Sequence, residues 1–448
     1  MPGLTGRALA GVGAAVLGAA IVRYPPVGAA LIPAFGCLCA LGLLVRSTTS
    51  SVLDRRWLAV LTGAAFAAHL AIGIIVNASP TLLLALASDS LSYHDWAMRL
   101  AESWQSAAAP LPVGKEGFVY GLAALYWLFG PYPVAGLAVN AGFAAALLPV
   151  SYDTTRRLFG PGPARAAAVL VAVLPGFLLW GSLLLREAPI LFFLAVVGNV
   201  LVRLADRVSV SQVALLGGCV VVLFSLRSNV ALVALCGALV GLGLGLRRAS
   251  TAVVVGTAAV AVVAGLTVVA GVGHGGLLAA LGGNLDKVDY YRRALSTGAG
   301  SAFYTDADLS SPAAALRFLP TAGTAFLLGP YPWQIHTPFQ NTGLVDALAL
   351  WLLLALVVRG VRRAVRETGR RILLLVSPAA FLLLMLCLLI GNYGMVLRQR
   401  PQVLIFLVPI AARGWTTGRR RAGSAVRPDR VRGRAAGHRW PGGTRSPA

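Results

Sequence analysis

The chain alternates long apolar runs with short polar bridges, and the runs are about 15 to 22 residues long. At that length a helix crosses the hydrocarbon of a bilayer with all its backbone groups satisfied internally. The pattern predicts spans at roughly 8–22, 27–45, 57–76, 117–150, 166–184, 188–202, 212–226, 230–246, 251–272, 341–358, 372–390 and 402–413. The run 117–150 is too long for one straight crossing, and Gly130-Pro131-Tyr132-Pro133 breaks it, because proline removes a helix hydrogen bond. Arg7 followed by Ala8 to Val22 imitates a signal peptide, but further spans follow at once, so a retained first helix is expected. The expectation is an all-α integral membrane protein with about 11–13 transmembrane helices.

Composition agrees. Hydrophobic residues make up 58% of the 448 positions and charged residues only 12%, where a soluble domain carries about a quarter. The net charge of +23 would point to nucleic acid in a soluble protein. Here the arginines cluster between apolar runs, as cytoplasmic loops do under the positive-inside rule, so no nucleic-acid partner is expected. Taking 117–150 as one topological crossing puts Arg46/Arg55/Arg56, Arg156/Arg157/Arg165, Arg203/Arg207, Arg247/Arg248, Arg359 to Arg371 and the tail from Arg413 on one side. The other side receives 77–116, Arg186-Glu187, Arg227, 273–340 and 391–401.

The domain expectation is a polytopic unit over 1–413, with external loops about 77–116 and 273–340, and a basic disordered cytoplasmic tail over 414–448. That tail would fix orientation and attract anionic lipid headgroups. Within the second loop, Ala313 to Leu328 is apolar enough for a re-entrant or extra spanning helix. The five cysteines, Cys37, Cys39, Cys219, Cys236 and Cys387, lie inside apolar runs and read as small core residues. No internal repeat of fixed period is evident.

Candidate chemistry lies in the bridges. In Ser88 to Ala101, the positions Asp89, Tyr93, Ala97 and Ala101 recur every four residues and share one helix face. Trp96, Leu100 and Trp104 form an apolar stripe suited to a membrane interface, and Asp95, Arg99 and Glu102 a third face on which charges can pair. Asp89 stands at the start of this helix, where a carboxylate can serve as an N-cap or be left available for chemistry. Arg186, Arg227, Arg398 and Arg400 sit at the outer ends of apolar spans, and the planar fork of arginine suits a phosphate headgroup; snorkelling to the interface is the plainer use. His94 and His336 have no ligand-like spacing to other donors. Tyr331 and Trp333 could stack on a sugar or join an aromatic belt, and Tyr290 to Arg293 could belong to an acceptor-binding lid.

Several of these segments carry a resemblance. Asp89-x3-Tyr93-His94-x2-Ala97-x2-Leu100 after the third apolar span resembles the first external loop of polyprenyl-phosphate-sugar-dependent glycosyltransferases of the GT-C fold, relatives of the protein O-mannosyltransferases (family 39) and the aminoarabinose transferase. It continues through Tyr120-x5-Tyr126-Trp127-Leu128-Phe129-Gly130 and Arg156-Arg157-Leu158-Phe159-Gly160 to Leu174-Pro175-x4-Trp180-x5-Arg186-Glu187-Ala188-Pro189, covering about 75–205. Gly329-Pro330-Tyr331-Pro332-Trp333 and Gly391-Asn392-Tyr393-Gly394-x3-Arg398-x-Arg400 are similar to segments of bacterial polysaccharide-assembly proteins.

The resemblance implies a sugar donor linked to a polyprenyl phosphate, with Asp89 as the base that deprotonates the acceptor hydroxyl and Glu187 as the acid of a later external loop. Where many relatives carry a second acid, this chain has Ser90. Some relatives hold a divalent metal between such acids, which here would fall to Asp89 and Glu187. Tyr93, His94, Arg227, Arg398 and Arg400 are then the expected substrate-binding residues, the membrane lipid the expected partner and the cell membrane the expected location. A transporter or flippase for a lipid-linked glycan, and a polymerase component, are the competing readings; charges gathered at span ends and the lack of a repeat favour the enzyme.

Overall fold

The structure is a computed structural model that describes residues 23–104, 115–246, 285–296, 301–304, 307–334 and 341–416. The predicted spans 8–22 and 251–272, His336 and the tail beyond Thr416 lie outside the described residues. The described elements are helical, with no strand among them; a single isolated bridge joins Ala302 to Asn392.

In chain order the helices are α1 (Pro25–Thr48), α2 (Val52–Ala78), α3 (Pro80–Ala87), α4 (Asp89–Ser103), α5 (Glu116–Phe129), α6 (Pro133–Phe159), α7 (Pro161–Val173), α8 (Pro175–Ser182), α9 (Glu187–Asp206), α10 (Val210–Gly245), α11 (Leu285–Ser296), α12 (Pro312–Leu328), α13 (Asn341–Thr368), α14 (Leu373–Leu389), α15 (Tyr393–Gln399) and α16 (Pro401–Thr416). Many begin with proline at the first helical position, which costs nothing because that N–H has no partner inside the helix. Others start on side-chain caps: Ser51 accepts from the Asp54 N–H at 3.3 Å and Asn392 from the Met395 N–H at 2.8 Å.

Among the described residues, six helical stretches are long and apolar enough to cross a bilayer: Pro25–Thr48, Val52–Ala78, Pro133–Phe159, Glu187–Asp206, Val210–Gly245 and Gly343–Leu389. The number rises to eight if α7 with α8, bent by 56°, and α15 with α16, bent by 48°, each form one broken span.

The ambiguous run 117–150 divides at its Gly-Pro element. Gly130 at φ +86° takes a conformation open to glycine and ends α5, a 14-residue helix of about 21 Å that is too short to cross. The crossing is α6, and it runs to Phe159 rather than to 150. α6 is also the axis of the bundle, packed by α1, α2, α7 and α9. Its small residues allow this: a Cβ on Gly142 would lie 2.7 Å from the Cys37 sulfur of α1.

Helix α10 breaks at Arg227, whose φ and ψ of −162° and 94° are not helical. Val220 and Leu235, at nearly equal distances from the break, pack together with Leu239, so the two arms fold back on each other. This agrees with the two spans 212–226 and 230–246 read from the sequence.

The bundle has two chemically different ends. One carries most of the described arginines, six of them held by four acids. Buried Asp153 accepts from Arg156, Arg157 and Arg203 at 2.9, 2.9 and 2.8 Å, and from Asn199 at 3.1 Å. Asp54 binds Arg165 and accepts from the Tyr152 hydroxyl at 3.0 Å. Asp206 binds Arg157 and Arg371, and Glu367 binds Arg413. Arg156, Arg157, Arg203 and Arg371, from three of the clusters assigned to one side, are thus joined through Asp153 and Asp206. Glu187 and Asp206 bound α9, 20 residues or about 30 Å apart, so what gathers around Glu187 lies at the other end.

Candidate functional site

At that other end, four helix termini and one helix break bring scattered residues together. Asp89 is the first residue of α4, Lys115 precedes α5, Glu187 opens α9, Arg227 sits at the break of α10, and Arg398 lies in the last turn of α15. A helix terminus leaves backbone groups unpaired and projects its side chains past the bundle, so polar residues collect there.

The centre is Arg398. Its Nε and Nη2 donate to the two oxygens of Glu187 at 2.7 and 3.1 Å, a two-pronged contact, and its Nη1 donates to Asp89 Oδ2 at 2.6 Å. Arg227 Nη2 donates to Glu187 Oε1 at 3.0 Å. Glu187 is fully buried, whereas the Asp89 side chain is 45% exposed. The two carboxylates therefore differ: Glu187 is an internal counter-ion for two arginines, and Asp89 is half-exposed and holds Arg398 through one oxygen.

Helix α4 starts from Ser88 with no side-chain cap bond, so Asp89 does not act as an N-cap; its carboxylate is turned to Arg398. Along the rest of the helix Tyr93, Ala97 and Ala101 are buried as the four-residue spacing predicts, Leu100 of the expected interface stripe is buried with them, and Asp95 is paired to Arg99 at 3.0 Å on the solvated face.

The chain between α8 and α9 is pinned from beneath. Asn140 on α6 donates to the carbonyls of Leu183 and Leu185 at 2.7 and 2.8 Å, which fixes the segment that delivers Arg186 and Glu187. Arg186 in turn donates to the Leu226 carbonyl at 2.9 Å, an acceptor left without its helical partner by the break at Arg227.

Lys115, which the sequence reading passed over, stands within 5.4 Å of the Tyr93 ring centre and 5.2 Å of that of Trp96. Burial pushes its ammonium below the usual lysine range, and Arg186, Arg398 and Arg227 push the same way against the pull of Asp89. Tyr93 is fully buried against Phe118 and Trp96, and burial raises its phenol above the ordinary value. Nothing in the local sequence marks Lys115; it is identified only by where the start of α5 meets α4.

Even with Arg186 left aside, three cations here face two carboxylates. Arg227 Nη1 and the Tyr93 hydroxyl are buried with no hydrogen-bond partner among the described residues. An excess of positive charge next to unpaired buried donors is an arrangement that an anion completes.

Two expected site residues are placed elsewhere. His94 Nδ1 pairs with the Tyr126 hydroxyl at 2.8 Å, on the side of α4 that packs on α5, and burial lowers its pKa against the pull of Asp95. Arg400, two residues from Arg398, is fully buried at the bend between α15 and α16. It donates to the carbonyls of Phe326 and Gly329 at 2.8 and 2.5 Å and to Asp346 Oδ2 at 3.0 Å. It ties α16 to the end of α12 and to α13, and does not reach Asp89 or Glu187. Ser90, where the resemblance implied a possible second acid, is buried. Tyr331 and Trp333 stack face to face, with centres 4.9 Å apart and planes 3° from parallel, and Trp333 is 74% exposed.

A divalent metal does not fit the acids as arranged. Both oxygens of Glu187 and one of Asp89 are held by guanidinium groups, and no group of three or more His, Cys, Asp or Glu suited to a metal occurs among the described residues. Two cavities of about 920 and 1010 Å³ lie at the arginine-rich end, beside Arg165 and Arg413 and beside Arg207 and Arg370, away from this cluster.

No family model matches the chain, and no curated protein matches it. Among solved structures it is similar to the oligosaccharyltransferase AglB of the archaeon Archaeoglobus fulgidus in complex with an inhibitory peptide and a dolichol-phosphate, at 12% identity and a TM-score of 0.44 over 80% of this chain and 50% of that one. The apo form of the Archaeoglobus fulgidus oligosaccharyltransferase gives 12% identity and 0.44 over 81% and 51%. The chain thus spans about half the length of these structures.

Proposed function

We propose that this protein is a membrane glycosyltransferase that draws a sugar from a polyprenyl-phosphate donor and passes it to a hydroxyl of an envelope glycan, lipid or protein acceptor. The observation that carries the reading is the convergence of Asp89, Glu187, Arg227 and Arg398 at one end of an apolar bundle, the end at which a lipid headgroup would meet them. In this reading the positive-inside rule favours the cytoplasm for the arginine-rich opposite end and for the tail, and the outer side for this cluster.

In this mechanism the half-exposed carboxylate of Asp89 takes the proton of the acceptor hydroxyl as its oxygen attacks the anomeric carbon. The bond from that carbon to the phosphate oxygen breaks, and the electron pair stays on the phosphate. Arg227 and Arg398, with Arg186 and Lys115 alongside, stabilise the charge that develops there. Glu187 takes no proton; it holds Arg227 and Arg398 in place in a dry setting where neither could stand unpaired. Arg400 and His94 are positioned for structural roles, and no step is assigned to a metal.

The test is Asp89→Asn, assayed as purified protein in lipid nanodiscs with radiolabelled polyprenyl-phosphate sugars. A positioned general base contributes about 10²- to 10⁴-fold to rate, so transfer should fall by at least a hundredfold in a folded protein. Undiminished transfer by that variant would remove Asp89 from the reaction.

A further inference from the structure

Arg398 has one two-pronged edge closed on Glu187 through Nε and Nη2. The fork that remains lies between Nη1 and Nη2, and Nη1 is the atom that Asp89 occupies at 2.6 Å. A phosphate can take this arginine in two-pronged fashion only by displacing Asp89. The three contacts are not equally replaceable. Glu187 is fully buried, and to release it would leave an unpaired charge in the protein interior. Asp89 is half-exposed, holds Arg398 by one bond, and can exchange it for water.

Resting on the lipid-phosphate reading of this site, we propose that Arg398 is a latch shared between Asp89 and the donor. In the empty protein it holds Asp89 Oδ2. When the donor phosphate arrives it takes Nη1, and Asp89 swings free to meet the acceptor hydroxyl. Arg227, whose Nη1 is buried without a partner among the described residues, supplies a donor that needs no release. No covalent bond changes in this exchange; one ion pair replaces another. Two consequences follow. The donor binds before the acceptor, and the base stays held while no leaving group is present, which keeps the acceptor side quiet until transfer can occur. Arg398 acts on the base as a positioning residue through this exchange.

The test is a double-mutant cycle read by affinity for farnesyl phosphate, a short polyprenyl phosphate, with the full chain in nanodiscs. A base that merely awaits the acceptor only repels the phosphate, so its neutralisation changes that affinity by the same factor whether or not Arg398 is present. A latch does not: Asp89→Asn frees Arg398 and tightens binding about fivefold, the factor a partly exposed ion pair is worth. In an Arg398→Ala background only the relief of repulsion is left, and the same substitution should give a clearly smaller gain, about twofold or less. An unchanged affinity for Asp89→Asn, or an equal gain in both backgrounds, overturns the latch.

Should Arg398→Ala not fold, the wild-type protein decides by itself. Labelling of Asp89 by a water-soluble carbodiimide, read by mass spectrometry, should quicken severalfold when farnesyl phosphate is present, and an unchanged rate at saturating ligand again overturns the proposal. If wild-type protein does not bind farnesyl phosphate at all, the lipid-phosphate reading itself fails, and the latch with it.

Discussion

Replacing Glu187 by Gln keeps its shape and removes its charge, and the structure fixes what that must do. Glu187 is fully buried, takes two bonds from Arg398 and one from Arg227, and stands where the Asn140-pinned segment enters α9. The neutral amide would leave two guanidinium groups facing each other with only the half-exposed Asp89 nearby. Removing one partner of a buried ion pair costs about 3–5 kcal/mol, a large part of the total of about 5–15 kcal/mol that proteins have. At about 2 °C per kcal/mol the melting temperature should fall by about 6 °C or more. Asp89→Asn is the internal control: its pair is partly exposed and worth about 1 kcal/mol or less, so its melting point should move only slightly. The assay is thermal unfolding by intrinsic fluorescence of both variants in the same nanodiscs. If Glu187→Gln melts within about 2 °C of wild type, or if Asp89→Asn falls as far, then Glu187 is not the buried counter-ion described here.

Three further outcomes are expected. Arg400→Met should destabilise by about 3–5 kcal/mol, because it strands Asp346 and the carbonyls of Phe326 and Gly329, while farnesyl phosphate affinity in the folded fraction stays within twofold of wild type. Asn140→Ala should cost about 1–3 kcal/mol by taking the side-chain donor from the Leu185 carbonyl and leaving Leu183 only the Leu185 N–H, and should slow transfer because Arg186 and Glu187 are carried on that segment; melting and turnover measured together check it. Farnesyl phosphate affinity should weaken on the alkaline side. Lys115 attracts phosphate only when protonated, and since its pKa is held below 10.5 its proton is lost at a lower pH than from a free lysine, whereas Lys115→Arg should stay charged and flatten the profile in a binding titration from pH 7 to 10.5.

The span pattern, the break at Gly130-Pro131, the buried and solvated faces of α4 and the fold-back at Arg227 were legible in the sequence. Each is set by local rules: apolar length, proline and glycine geometry, and the helical period. Partners were not legible. Arg398 and Arg400 are two residues apart and look alike, yet a 48° bend turns one toward Asp89 and Glu187 and the other into a cage of carbonyls. Lys115 has no motif, and no local pattern marks Asp54, Asp153 and Asp206 as the partners of the arginines they hold.

The sequence alone therefore determined the solvent of this protein, because lipid demands long uncharged helices and drives charge to their ends. Which charges meet was decided only by the tertiary structure. Asp89 and Arg398 are separated by 309 positions in the chain, and their meeting depends on how α6 gathers its neighbours, on the pinned turn ahead of α9 and on the bend after α15. Long-range ion pairs leave no periodic trace along a chain, since their geometry is fixed by the packing of elements that the local pattern cannot order in space.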